Sequence, residues 1–341
     1  MTQTKRNKFD WSEYSDQYTP PVILLGATGT IGQATLKCLI SRGYFVKCFL
    51  RRRPCESTAH LYDHPKVEVC IGDLSDPDWL SQHLFPDDTK SAIISCIASR
   101  TGTKKDAWAV DYGVNKSFLD ATRNTSIKQF VLLSAICVQK PVLEFQKAKL
   151  AFEADLRQSD MAWTIVRPTA FFKSLSGQVD RLKKGKPFLV FGTGQLTSCK
   201  PISDGDLARF IVDSLNHPDR QGAILPIGGP GPALTPLEQG RALFAALEKP
   251  QRFRQVPVAV LDLIIGGLRF AGLFSAKARN TLELACIGRY YATESMLVMD
   301  PKTGRYCSDM TNEFGTETLI EFYRDLATEQ TTVDLGEHSV F

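Results

Sequence analysis

Residues 22–53 decide the fold, and they read VILLGATGTIGQATLKCLISRGYFVKCFLRRR. A short apolar run leads into a glycine-rich turn, a helical pattern follows, and a second apolar run ends in three arginines. Glycine permits a tight turn and a close approach to a phosphate, and the start of a helix offers unpaired N–H groups to an anion. The pattern therefore predicts a dinucleotide-binding turn made of Gly26, Thr28, Gly29, Thr30, Ile31 and Gly32.

Short apolar runs and helical patterns alternate along the first half of the chain. The apolar runs predict strands at residues 22–25, 45–50, 67–71, 92–97, 130–134 and 163–166, and helices begin near residues 31, 77, 108 and 142. Continuous apolar strands separated by helices are typical of a parallel sheet covered on both faces. The predicted fold class is α/β, a doubly wound parallel sheet of the Rossmann type, with a smaller irregular α+β part that binds the substrate.

The regular alternation ends at Arg167 and Pro168, and glycine- and proline-rich segments follow. Ligands of open α/β sheets bind beyond the carboxyl ends of the strands, so the later part of the chain is expected to cover that edge. We expect four segments: an N-terminal tail (1–20), a nucleotide-binding Rossmann domain (21–168), a substrate-binding part interleaved with the sheet (169–328) and a C-terminal tail (329–341).

The second predicted strand ends in Arg51, Arg52 and Arg53, and Arg51 lies nineteen residues after Gly32. An acidic residue near this position would accept hydrogen bonds from the ribose 2′-hydroxyl of NAD, whereas a guanidinium pairs with a 2′-phosphate. The sequence therefore favours NADPH, with Arg51 as the phosphate-binding residue. Asp73, after the third strand, suits the adenine edge of the cofactor or, alternatively, caps the next helix.

Composition argues against several other classes of protein. The net charge is +4 with scattered basic residues, so no nucleic-acid partner is expected. Nine cysteines without a CxxC pair favour free thiols in a reducing compartment, and the five histidines lack the spacing of a metal site. The first twenty residues show no secretory or transit pattern, which favours a cytoplasmic location.

The longest apolar stretch, residues 256–274, is interrupted by Asp262 and Arg269. Two charges within so short a stretch favour a buried amphipathic helix or an interfacial helix over a membrane span. We therefore expect no transmembrane segment, and peripheral contact with a membrane is the second expectation from this stretch.

The order of these elements resembles the atypical or extended branch of the short-chain dehydrogenase/reductase superfamily. That family commonly carries Ser and then Tyr-x-x-x-Lys after the fifth strand, and the matching residues here are Ser134, Phe145 and Lys149. The resemblance implies that Lys149 is catalytic and binds the nicotinamide ribose. It also implies cofactor contacts from Ser134 and from the turn of Arg167, Pro168 and Thr169, with a strand cap and a structural proline turn as the alternatives.

Phenylalanine at position 145 has no proton to give, so the usual acid for ketone chemistry is missing. Either the domain binds NADPH without catalysis, or the hydride goes to an acceptor that spreads negative charge by itself. A vinyl group conjugated to an aromatic macrocycle is such an acceptor.

Two blocks carry a closer resemblance: LLSAICVQKPVLEFQKAKLAFE at residues 132–153 and RPTAFFKSLSGQV at residues 167–179. They are similar to the NADPH-dependent divinyl chlorophyllide 8-vinyl-reductase family. The resemblance implies reduction of the C8 vinyl group of a tetrapyrrole, divinyl chlorophyllide or protochlorophyllide, with NADPH and with no flavin or metal of the protein's own. Because the first twenty residues show no plastid transit pattern, we expect a photosynthetic bacterium as the source.

A chlorophyllide is a broad apolar plate with one propionate, so its site needs flat apolar walls and a cationic anchor. Phe145, Phe171 and Phe172 are candidate walls, although paired aromatic residues are also typical of a core. The candidate anchors are Arg252 and Arg254, together with Arg269, Lys173 and Lys200. Two other interpretations stay open: an NADP-binding regulatory or assembly protein with an inactive reductase fold, and an isoflavone-reductase-like enzyme acting on a small conjugated substrate.

Overall fold

A computed structural model of the protein describes residues 20–84, 90–123 and 125–328, and the two predicted tails fall outside this part except for residue 20. Its centre is a parallel sheet of seven strands: β1 (Val22–Leu25), β2 (Val46–Leu50), β3 (Val67–Ile71), β4 (Ser91–Ser95), β5 (Ile127–Leu133), β6 (Ala162–Pro168) and β8 (Ala223–Ile227). The strand order is β3-β2-β1-β4-β5-β6-β8. The order reverses between β1 and β4, as in a doubly wound fold, so the predicted fold class is confirmed.

The six predicted strands are present, with ends that differ from the prediction by at most three residues. The seventh, β8, comes from the part of the chain that was predicted to be irregular. It pairs with β6 in parallel, with Thr164 opposite Ala223 and Pro168 opposite Ile227. The sheet thus continues beyond residue 168, and the later part of the chain returns to it.

Helices cover both faces of the sheet and build the later part of the chain. They are α1 (Thr30–Ser41), α2 (Ala59–Tyr62), α3 (Pro77–His83), α4 (Lys104–Ala107), α5 (Asn115–Ala121), α6 (Glu144–Arg157), α7 (Val179–Lys183), α8 (Asp204–Asp213), α9 (Pro236–Ala246), α10 (Val258–Gly272), α11 (Ala276–Thr293) and α12 (Leu319–Ala327). A π-helical segment, Trp108–Val114, joins α4 to α5. Two small sheets complete the described part: β7 (Phe188–Phe191) with β9 (Phe253–Val256), and β10 (Val298–Met299) with β11 (Tyr306–Cys307).

The strands are apolar on both sides because helices pack on both faces of the sheet. Successive side chains of β1 point to opposite faces, so Leu24 joins the core under α1 and α8, while Ile23 and Leu25 join the core under α3, α5 and α6. A separate cluster that includes Phe172 and Tyr323 lies among β7, β9, α9 and α12. The later part of the chain therefore has an apolar core of its own.

Two glycines of the first turn are required by close backbone contacts. Gly26 has a φ of +75°, and a Cβ atom there would lie 2.6 Å from the carbonyl carbon of Cys96, at the end of β4. A Cβ atom on Gly32 would lie 2.0 Å from the carbonyl oxygen of Gly26. This contact requires glycine at position 32, because any side chain there would push α1 away from the sheet edge.

We expect Gly32→Ala to lower the free energy of unfolding by about 2 kcal/mol, because the added methyl group overpacks a backbone contact. Gly267→Ala is the matched control, since a Cβ atom on this α10 residue meets nothing within 4 Å. Alanine in an open helical position should leave stability unchanged or raise it by up to about 1 kcal/mol. Urea unfolding of both variants measures this, and equal stability of Gly32→Ala and the wild type would contradict the packing argument.

Candidate active site

The carboxyl ends of the parallel strands meet at one edge of the sheet, where open α/β folds bind their ligands. The glycine turn follows β1, Arg51 follows β2, and Asp73 comes shortly after β3. Ser134 follows β5, and Arg167 and Pro168 form the end of β6. The topology therefore brings all the predicted cofactor residues to the same edge, with Lys149 on α6 behind it.

The start of α1 is suited to an anion. Gly29 is its N-cap without a side-chain hydrogen bond, and the first turn carries no acidic residue, so its N–H groups lack a protein cap. A Cβ atom on Gly29 would meet nothing nearer than the Gly26 carbonyl oxygen at 3.4 Å. The protein's own packing thus leaves space at Gly29, which fits a turn that holds a pyrophosphate against the helix N-terminus.

Lys173 lies against this turn, which the sequence did not indicate. Its Nζ donates to Oγ1 of Thr30 at 3.0 Å. The nearby carboxyl of Asp204, the first residue of α8, has a pKa raised to about 6 by burial, an effect that the positive charge of Lys173 opposes. Lys173 was a candidate anchor for the pigment propionate, and its position beside the start of α1 makes it equally suited to a cofactor phosphate.

A cleft of about 670 Å³ opens beside the end of β2. Its lining residues are Arg51, Arg52, Arg100, Thr101, Thr103, Asp106, Asn280 and Leu284. The side chains of Arg51 and Arg52 are exposed, and three guanidinium groups around one cleft favour a phosphate as its occupant. Two lining residues, Asn280 and Leu284, belong to α11, so the later part of the chain forms one wall of the cleft.

Asp73 makes a local turn instead of capping the following helix. Its Oδ1 accepts hydrogen bonds from the backbone N–H of Ser75 at 2.9 Å and from the Ser75 hydroxyl at 2.6 Å. These hydrogen bonds lower the pKa of Asp73. The N-cap of α3 is Asp76, which accepts from the N–H groups of Asp78 and Trp79. Asp73 itself is exposed and stays a candidate for the adenine edge.

Lys149 is held by a buried acid that sequence reasoning missed. Its Nζ lies 2.9 Å from Oδ1 of Asp111, and the side chains of Lys149 and Asp111 are 11% and 1% exposed. Asp111 lies in the π-helical segment, and its Oδ2 accepts from the N–H of Ser99 at 3.3 Å, just beyond β4. A π-bulge at a functional site is common because it redirects side chains.

A second residue of this network is Asn115, also buried. Its Nδ2 donates to the carbonyl oxygen of Asp111 at 2.9 Å, and its Oδ1 accepts from the Ser95 hydroxyl at 2.5 Å. The network links the end of β4 to the π-helical segment and, through Asp111, to Lys149. Asp111 and Asn115 are polar residues four apart within an apolar run, which is the signal that could have identified them.

Ser134 and Arg167 both bind a buried carboxylate through their side chains. The Ser134 hydroxyl donates to Oε1 of Glu153 at 2.5 Å, Nε of Arg167 donates to the same oxygen at 3.1 Å, and the Arg167 guanidinium also pairs with Oε2. Glu153, on α6, is 2% exposed. Through these hydrogen bonds the two side chains join β5, β6 and α6.

Pro168 and Thr169 lie where β6 meets β8. The N–H of Thr169 donates to the carbonyl oxygen of Ile227 at 2.9 Å, and its hydroxyl donates to the carbonyl oxygen of Lys200. Lys200 is itself buried and paired with Glu313, which makes it part of the structure and less suited to a pigment anchor. The two hydrogen bonds of Thr169 thus hold the turn after β6 in place.

The aromatic candidates have different surroundings. Phe145 packs in a cluster with Ile287 of α11. A Cβ atom on Gly102 would lie 3.6 Å from the Phe145 ring and 2.9 Å from Ile287. Phe145 therefore adjoins the loop around Gly102, which lines the cleft. Phe171 is partly buried beside the core under α1 and α8. Phe172 is 4% exposed and packs on Phe322, which gives it a place in the core, the alternative that the sequence left open.

Two of the three arginines proposed as anchors, Arg252 and Arg254, are exposed and lie in a different region. Arg252 directly precedes β9 and Arg254 lies within it, paired in register with Leu189 of β7. Neither residue lines the cleft beside Arg51. Across the described ranges, 20–84, 90–123 and 125–328, no group of three or more His, Cys, Asp or Glu side chains is placed to hold a metal ion.

Comparisons with known proteins agree with this geometry. A family described as NAD(P)H-binding matches residues 26–218. The chloroplast divinyl chlorophyllide a 8-vinyl-reductase of Cucumis sativus is 47% identical over 332 residues, which cover 94% of this chain and 79% of that protein. The photosystem II assembly factor Ycf39 of Trieres chinensis is 26% identical over 213 residues, which cover 61% of this chain and 63% of that protein.

Among solved structures, the Escherichia coli NADPH-dependent quinone oxidoreductase in complex with NADPH has a TM-score of 0.65 and 16% sequence identity. The alignment covers 89% of this chain and 99% of that one. At this identity the similarity supports the fold alone, including the later part of the chain.

We expect the buried pair of Asp111 and Lys149 to show strong coupling in a double-mutant cycle. Asp111→Ala alone should lower the free energy of unfolding by roughly 3 kcal/mol because it leaves a buried charge unpaired. Adding Lys149→Met should restore part of that loss, with a coupling free energy of about 1–3 kcal/mol.

The control cycle uses Lys116 and Asp120, an exposed pair one helical turn apart on α5 with an Nζ–Oδ1 distance of 2.5 Å. Its coupling should be about 0.3–0.5 kcal/mol. Urea unfolding measures both cycles. A buried pair that couples no more strongly than the exposed pair would contradict the network described above.

Proposed function

This chain belongs to the NAD(P)H-binding family and, within it, to the divinyl chlorophyllide a 8-vinyl-reductases, and on this premise we propose a specific reaction. The protein uses NADPH to reduce the C8 vinyl group of 3,8-divinyl chlorophyllide or protochlorophyllide to an ethyl group. It is thus an oxidoreductase of chlorophyll or bacteriochlorophyll biosynthesis that acts on a carbon–carbon double bond.

One observation about this site carries the chemical part of the proposal. The glycine turn and the position of Lys149 support a nicotinamide dinucleotide site, while Phe145 stands where carbonyl reductases carry their acid. Protein-assisted protonation of a ketone oxygen is therefore absent at this position. A vinyl group on a conjugated macrocycle needs no such acid at the moment of reduction, because the ring delocalises the developing negative charge.

The residues around the glycine turn and at the ends of the strands fit NADPH. Gly26, Gly29 and the first turn of α1 would hold the pyrophosphate, with Lys173 beside them. Arg51 would pair with the 2′-phosphate, and Lys149 with the nicotinamide ribose. When bound, the reduced nicotinamide supplies a hydride. The chain's part is to hold Lys149 in one place through Asp111, and to exclude water with the apolar surfaces around Phe145.

Lys149 is the residue of this chain to which we assign a catalytic role. Its side chain is 11% exposed and paired with Asp111, which favours a fixed position from which to bind ribose hydroxyls. As a donor of protons it is also the proposed source of the proton that completes the ethyl group. Phe145 and Phe171 are the proposed apolar walls for the macrocycle, and Lys173, Arg252, Arg254 and Arg269 are the proposed candidates for its propionate.

We further propose that the protein works in a photosynthetic bacterium, in the cytoplasm and in peripheral contact with a membrane. All nine cysteines are free, which fits a reducing compartment. No helix within the part of the chain that the structure describes combines the length and apolarity of a bilayer span. The assembly-protein and isoflavone-reductase-like interpretations are less favoured, because identity to the reductases extends over nearly the whole chain.

The purified protein should convert divinyl chlorophyllide to the 8-ethyl product with NADPH, seen as a small blue shift of the Soret band and loss of NADPH. Lys149→Ala should lower kcat/KM about a hundredfold, because the nicotinamide ribose loses the contact that positions the cofactor. Lys147→Ala is the control on the same helix, because its side chain is 49% exposed and pairs only with Glu144 among the described residues. NADPH binding without turnover of any divinyl pigment would instead support the inactive assembly protein.

Arg51→Glu should weaken NADPH binding by about ten- to a hundredfold, because a charge-assisted contact to phosphate is replaced by repulsion. NADH, which lacks the 2′-phosphate, should bind with nearly unchanged affinity. Arg53→Glu is the control, since Arg53 is exposed and does not line the cleft. Fluorescence titration with both cofactors measures the effect, and equal losses for NADPH and NADH would refute the assignment.

A further inference from the structure

The helical hairpin of α10 and α11 exposes an unusual amount of apolar surface. Only Ile265 and Gly272 of the fifteen residues of α10 are buried. The four most exposed large apolar side chains of the described part all lie here: Leu263 (78%), Phe270 (70%), Leu273 (72%) and Phe274 (80%). Monomeric soluble proteins rarely leave such a cluster open to water, so the surface is expected to have a partner.

These side chains form one continuous stripe. Val260, Leu263, Ile264, Phe270 and Phe274 recur at helical spacing on α10 and just beyond it, with Leu273 at the hairpin tip. We call these six residues the apolar ridge. From Val260 to Phe274 the ridge is about 21 Å long, shorter than a bilayer's hydrocarbon core, and it lies on the outer side of a helix. A ridge that protrudes from the protein is suited to insertion into a deformable surface.

Basic residues surround the tip of the ridge. Arg269, Lys277 and Arg279 are all exposed, and the guanidinium of Arg279 also donates to the carbonyl oxygen of Gly272 at 2.8 Å. The acidic residues of the hairpin do not offset this charge. Asp262 is paired with Arg289 at 2.5 Å, and burial raises the pKa of Glu283, which disfavours its charged form.

The charge distribution disfavours a second copy of this chain as the partner. Arg252 and Arg254, both exposed, lie just before the N-terminal end of α10, and the three basic residues above lie at its other end. Parallel or antiparallel contact of two ridges would therefore bring like charges together, which disfavours association. An anionic, apolar surface fits both the ridge and its charges.

We propose that the apolar ridge docks this protein on an anionic lipid bilayer, with Leu263, Phe270 and Phe274 entering the boundary between headgroups and acyl chains. Arg269, Lys277 and Arg279 then face the lipid phosphates. This inference deepens the proposed function and rests on it, because the proposed substrate is an apolar pigment that is available at a membrane surface. Asn280 and Leu284 of the same hairpin line the cofactor cleft, so docking places the cleft close to the membrane.

The test is sedimentation of the full chain with vesicles made of equal parts phosphatidylcholine and phosphatidylglycerol. The wild type should sediment with them, and raised salt or vesicles of phosphatidylcholine alone should weaken binding. The double variant Phe270→Ser/Phe274→Ser should bind about a hundredfold more weakly, because two exposed aromatic side chains no longer enter the bilayer. The control, Val142→Ser/Ile320→Ser, removes exposed apolar residues elsewhere, at 59% and 44% exposure, and should bind like the wild type.

Reductase activity on pigment dissolved in detergent separates this inference from the proposed function. Under the inference, Phe270→Ser/Phe274→Ser keeps that activity and loses vesicle binding. Equal vesicle binding by this variant and the wild type would overturn the docking proposal, whatever the activity. A wild type that stays in the supernatant and forms a dimer, which the variant does not form, would overturn it in favour of a second copy.

Discussion

The cofactor site depends on the backbone contact between the first turn of α1 and the ends of β1 and β4. Gly26 touches the end of β4 and Gly32 touches Gly26, with no room for a Cβ atom at either position. This contact aims the uncapped start of α1 at the carboxyl edge of the sheet. The loop after β4 then carries Thr101 to the cleft, and the chain after β6 returns Lys173 to the same turn. The anion site that we propose at that edge therefore depends on how tightly the helix packs.

Much of this architecture could be predicted from local sequence, and the remainder could not for identifiable reasons. Strands buried on both faces give unbroken apolar runs, so the six strands from β1 to β6 were recognisable. Strand β8 was missed because Ala223–Ile227 is short and contains a proline. Lys149 was found through a motif, but its partner Asp111 lies 38 positions earlier, and only the folded chain brings the two side chains together. Glu153 reads as an ordinary helical glutamate until β5 and β6 bring Ser134 and Arg167 to it.

The two parts of the chain supply different surfaces: the sheet edge is mainly polar, and the later part is mainly apolar. At the sheet edge, the charge of Lys149 is paired with the buried carboxylate of Asp111, which restricts its position. The later part supplies apolar walls, a core of its own and the exposed ridge on α10. Replacement of the family tyrosine by Phe145 suits this division, because the reducible bond lies on a pigment that carries the developing charge in its own ring.

The most direct test of the central claim, direct hydride transfer to the pigment side chain, is the fate of deuterium from NADPH labelled at both C4 positions. The reaction is run in ordinary water, and the product is analysed by mass spectrometry and NMR. The account predicts one deuterium in each newly formed ethyl group. Ethyl product that contains no deuterium would mean that the electrons travel by another route, and it would contradict the account.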